Sequence, residues 1–104
     1  MKFLIFSVFS PDKAAEVAQA SDKVASAPGA KTSAMYVCQG IPFPGVAPNT
    51  MVSIAVVEAE SNDAISARIY PLSLAGATVW AVPVQEMPVA GAVKTEKKFR
   101  GRSR

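Results

Sequence analysis

The order of apolar runs and helix-like segments in this chain predicts an α+β fold, a four-stranded antiparallel sheet with two helices on one face. Three observations carry that reading. Four short runs are dense in valine, isoleucine and phenylalanine, as strands are. Two intervening segments each open on a serine followed two residues later by an aspartate, the pattern of a helix start. The chain of 104 residues is long enough for one hydrophobic core and too short for two.

Residues 2–9, KFLIFSVF, are apolar at nearly every position and read as a strand buried on both sides. Ser10-Pro11-Asp12 then starts a helix, with serine as the cap, proline at the first helical position and aspartate where the helix dipole favours a negative charge. Ala14, Val17, Ala20 or Ser21, and Val24 give this helix a narrow stripe of small residues up to about Ala27, and Pro28-Gly29 ends it. AMYVCQ, residues 34–39, is the second strand and MVSIAVVE, residues 51–58, the third. Ser61 and Asp63 open a second helix that carries Ile65, Arg68 or Ile69, and Leu72 on one side, is expected to kink at Pro71 and stops at Gly76. ATVWAVPV, residues 77–84, is the last strand. Pro83 cannot donate to a ladder, so that end belongs at a sheet edge.

The resulting βαββαβ order has the ferredoxin-like sandwich as its usual outcome, and right-handed crossovers put the first and third strands at the centre. Two helices cover one face only, yet Phe3, Ile5 and Phe9 alternate with Leu4, Phe6 and Val8, so the second face also calls for cover. A second copy packed sheet to sheet would supply it. The loop GIPFPGVAPN, residues 40–49, combines the prolines of a connection with the side chains of a core, which makes Ile41, Phe43 and Val46 candidate interface residues.

This element order, the doubly apolar sheet and the short chain resemble the dimeric α/β-barrel superfamily over about residues 1–88. MYVCQGIPFPGVAPNTMVSIAVVEAES and IYPLSLAGATVWAVPV are similar to small uncharacterised domain proteins of that group. The resemblance implies a two-chain barrel with a cavity between the sheets. It transfers no catalytic residue, because the group's enzymes commonly place a histidine or another acid/base group in that cavity and this chain has no histidine.

Composition narrows the functional classes. A lone cysteine, Cys38, excludes an internal disulfide framework and, with no histidine, the usual metal-ligand sets cannot be assembled, so no metal and no cofactor is expected. A reducing cytoplasm is the expected location. The apolar start is too short for a signal peptide, and no run approaches the roughly 20 residues of a transmembrane helix. Residues 1–93 hold five basic and seven acidic side chains, whereas 94–104 hold six basic and one acidic. A basic tail, 89–104, is therefore set apart from the domain 1–88 and expected to be solvated and disordered. Lys97, Lys98, Arg100, Arg102 and Arg104 are its candidate contacts to nucleic acid or another polyanion.

Tyr36 and Cys38 share a strand face and, with Trp80, are the candidate lining of a ligand cavity. Each also has a plain packing role, since a cysteine in an apolar strand behaves as a small hydrophobe. Glu58, Glu60 and Glu86 lie at strand ends, where carboxylates are solvated, and no nucleotide, nucleophile-elbow or zinc motif is present. The sheet is also unsuited to stacking RNA bases, because the third strand has no aromatic and no basic residue. The sequence therefore points to a cytoplasmic homo-oligomeric domain that binds a small apolar molecule or serves assembly. A cofactor-independent isomerase or monooxygenase acting on an apolar substrate is the alternative, and polyanion association through the tail a weaker one.

Overall fold

A computed structural model of the protein describes residues 1–102. β1 (Lys2–Phe9), β2 (Ala30–Val37), β3 (Met51–Ala59) and β4 (Thr78–Val84) form one antiparallel sheet in the order β2-β3-β1-β4. The two most continuously apolar strands hold its centre, and Pro83 lies on an edge strand. α1 (Ala14–Val24) follows β1 and α2 (Asn62–Leu74) follows β3, giving the ferredoxin-like α+β arrangement; α3 (Ala92–Arg102) is added after β4.

Alternation along β1 decides which side chains meet the helices. Phe3, Ile5, Ser7 and Phe9 are buried, while Leu4, Phe6 and Val8 between them are only half-buried. Phe3 and Ile5 pack with Val57, Ala59, Ala64 and Ile65 in one part of the core. Phe9 packs with Val17, Ala20, Leu72 and Ala77 in the other. Val57, on the central strand β3, is fully enclosed.

The helix starts differ in detail. Ser61 takes an extended conformation and its hydroxyl accepts the Ala64 N–H at 3.2 Å, as a cap should. Ser10 has the extended backbone of a cap, but its hydroxyl is drawn to the Asp12 carboxylate instead, and a 3₁₀ turn over Pro11–Lys13 precedes α1. α1 also stops at Val24, short of Ala27. α2 continues through Pro71 and ends where Gly76 takes a φ of +112°.

β2 begins four residues before the expected Ala34, because an edge strand tolerates the polar Lys31, Thr32 and Ser33. A bulge between Thr32 and Ala34 leaves Ser33 as the extra residue. It changes the side-chain alternation, so that Thr32 and Met35 turn to the same side of the sheet and line one cavity there.

As far as Arg102 the basic tail is ordered, against the expectation from its charge. Residues 92–102 are helical, and the Gly91 carbonyl accepts both the N–H and the hydroxyl of Thr95 at 3.1 and 3.2 Å. Arg100 pairs with Glu96 one turn back at 3.0 Å, and the Arg102 guanidinium lies 5.8 Å from the centre of the Phe99 ring. One well-placed acid and one aromatic thus offset the repulsion within the run. Among the described residues no helix is long and apolar enough to cross a membrane.

Candidate functional site

The sheet face turned away from α1 and α2 is built by strand register. Tyr36 lies opposite Ile54, Ile54 opposite Phe6, and Phe6 opposite Trp80, so one row crosses all four strands. Ala34, Val56, Leu4 and Val82 make the next row by the same pairing. Tyr36 is 60% exposed and Trp80 36%. Lys2, Lys31 and Glu58 close one end of this face, and Lys2 reaches Glu86 at 2.9 Å.

The loop between β2 and β3 lies back on this face. The Phe43 ring meets Phe6 edge to face at a centroid distance of 6.0 Å and Trp80 at 5.8 Å, while Phe6 and Trp80 are stacked. Gly45 and Asn49 both take positive φ, which lets the loop reverse over the sheet. A groove beneath it is lined by Val8, Phe43, Val46, Thr78 and Trp80. Of the three loop residues read as interface candidates, Phe43 and Val46 are half-buried against their own chain and Ile41 is 62% exposed.

The candidate cavity residues are only partly brought together. Tyr36 lies near the end of β2 and Cys38 just beyond it, with the Cys38 N–H donating to the Val52 carbonyl at 2.9 Å. Trp80 is on the opposite edge strand, three strand spacings or roughly 14 Å away. Within one chain it belongs with Phe6 and Phe43 and not with Tyr36 and Cys38. Cys38 is a free thiol and half-buried. No three or more His, Cys, Asp and Glu side chains gather as a metal site among the described residues. Lys97, Lys98, Arg100 and Arg102 are all carried by α3, and Arg104 lies outside the described residues.

Arg68, which the sequence offers only as an alternative to Ile69 on the stripe of α2 and to which it gives no functional role, is a buried polar feature of the interior. Its position in α2 has the spacing of the apolar stripe, and the side chain is 97% buried, with an exposure of 3%. Nη1 donates to the Thr32 hydroxyl at 2.8 Å and Nη2 to the Ala30 carbonyl at 2.9 Å, tying α2 to β2. Nε is enclosed without a partner. Burial, with no carboxylate beside it, pushes the guanidinium pKa down from its ordinary value. An arginine at a helical stripe position is the only sequence signal that could have found it.

No family model matches the chain, and no curated protein matches it in sequence. Solved structures do match in shape. The C-terminal domain of the MgtC protein from Mycobacterium tuberculosis has a TM-score of 0.64 at 10% identity, over 85% of this chain and 92% of that one. SnoaB, a cofactor-independent oxygenase from Streptomyces nogalater, has a TM-score of 0.49 at 18% identity, over 86% of this chain and 95% of its own. The second likeness is too loose to carry an argument, and identities this low speak only to architecture. The chain shares with the MgtC domain the ferredoxin-like α+β fold.

Proposed function

We propose that this chain is a homo-oligomeric domain that joins a second copy of itself through its open sheet face, to bind a small apolar molecule or to serve assembly alone. The carrying observation is the two rows of apolar side chains across all four strands, which α1 and α2 leave uncovered. A continuous apolar face is seldom left to water. In plan the sheet offers roughly 500 Å², and with the loop of residues 38–50 it approaches the roughly 800 Å² per partner of a standard interface. The charged end holds Lys2, Lys31, Glu58 and Glu86, two of each sign, so an identical face meets no net like charge about a two-fold axis.

A cofactor-independent enzymatic role has less behind it, because one chain gives Tyr36, Cys38 and Trp80 no shared cavity; only a partner's sheet could bring them round one substrate. The free thiol of Cys38 suits a reducing compartment, and we place the protein in the cytoplasm. Sedimentation at micromolar concentration tests the assembly. A dimer or larger species is expected, with Val82→Glu, a charge on the exposed part of the face, giving a folded monomer. A stable wild-type monomer overturns the reading.

A further inference from the structure

Only two polar side chains are counted in the buried interior of the described residues, Ser7 and Arg68, and both line one cavity between the helices and the sheet. A buried guanidinium ordinarily has an acid beside it, since an unpaired charge away from water is costly. Arg68 has none among the described residues; its two hydrogen bonds go to a neutral hydroxyl and a carbonyl, and Nε is left over.

The cavity beside Arg68 has a volume of about 50 Å³, and Ser7, Thr32 and Ser53 add hydroxyls to its wall. That is room for a small polar head, given that a single water needs about 10–15 Å³ on the same measure. Val17, Ser21, Met35 and Ser53 belong both to this cavity and to a wider groove of about 370 Å³ between α1 and the β2–β3 side of the sheet. Phe9, Ala14, Val37 and Met51 make the groove largely apolar. Inner end and outer groove thus differ in kind: one presents an unneutralised cation, the other a largely apolar wall with Asp22 on the α1 side as its one charge.

We propose that this pocket binds a monocarboxylate with an apolar body, the carboxylate seated on Arg68 and the body lying in the groove between α1 and β2–β3. The site is on the helix side of the sheet, so it does not depend on the assembly of the opposite face. A carboxylate there supplies the missing acid beside the guanidinium, and carboxylate–guanidinium pairing is the strong, geometrically selective kind. Ser7 and Ser53, paired across β1 and β3, line the same cavity and bring hydroxyl donors to it.

Calorimetric titration of the full chain with decanoate and with decanol tests the site, the two probes sharing a body and differing in charge. Decanoate is expected to bind saturably and at least tenfold more tightly than decanol, and Arg68→Met to abolish that preference. Ala18→Trp places a large ring in the groove from an exposed position on α1, and is expected to abolish decanoate binding with the melting temperature unchanged. This variant keeps the test decisive if Arg68→Met does not fold. Absence of saturable decanoate binding, equal affinity for decanol, or full affinity in Ala18→Trp overturns the proposal.

Discussion

The ring of Phe6 lies nearly parallel to that of Trp80 across the β1–β4 ladder, with centroids 5.3 Å apart and planes inclined by 13°. Phe43 closes this pair from above with edge-to-face contacts to both rings. A connecting loop is thereby fixed to the sheet by an aromatic cluster and not by backbone pairing.

Removing the Phe43 ring tests that arrangement. Phe43→Ala should lower stability by about 1–2 kcal/mol, less than for a fully buried phenylalanine because the ring is half-exposed. Trp80 is the only tryptophan, so its emission should shift to the red as water reaches the indole. In the assembled protein the subunit dissociation constant should rise at least tenfold. Unchanged emission and an unchanged dissociation constant would mean that the loop only joins two strands.

Cys38 reports on cover of the open face. The half-buried thiol follows β2 directly, at the margin of the proposed interface, so labelling by a thiol reagent should be at least tenfold slower in a wild-type assembly than in the Val82→Glu monomer. Cys38→Ala should cost about 1 kcal/mol through a small packing defect. Equal labelling rates in the two proteins would count against a sheet-to-sheet interface.

The cap of α2 is a local and separable contribution. Ser61→Ala removes the acceptor for the Ala64 N–H and should cost about 1 kcal/mol, read as a lower urea midpoint at constant slope. Ser10→Ala should cost less, since the Ser10 hydroxyl meets Asp12 and satisfies no backbone donor of the helix.

The Lys2–Glu86 pair gives a signed pH dependence. The hydrogen bond between them is the main reason that the Glu86 carboxyl is held below its ordinary value and the Lys2 ammonium above its own. The Glu86 contribution is present above the unfolded carboxylate pKa and fades as pH falls through the lower folded value. The Lys2 contribution is present below the ordinary lysine pKa and fades as pH rises through the higher folded value. Stability from the pair is therefore level from about pH 5 to about pH 10 and declines on either side. Glu86→Gln should remove both declines. The effect should be small, because both groups lie in solvent. An NMR titration that places the Glu86 carboxyl at or above its ordinary value would contradict the contact.

Local pattern was enough for the order of the elements and for several of their ends, though not for the Ser10 cap, the end of α1 or the start of β2. β1 begins at Lys2 and ends at Phe9 as its apolar run dictates, Ser61 caps α2, and the order of elements leaves β1 and β3 in the centre of the sheet. Contacts between residues far apart in the chain were decided only by the tertiary structure. The pairing of Phe43 with Phe6 and Trp80 depends on where a loop lands, and the separation of Tyr36 from Trp80 depends on which strands lie between them. Arg68 reads in sequence as either a surface charge or a stripe position. In the fold Thr32 and the Ala30 carbonyl on the neighbouring β2 offer partners for two of its nitrogens, and the third is enclosed without one. Periodicity records which side of an element is apolar; only packing decides which polar group is enclosed with it, and beside what.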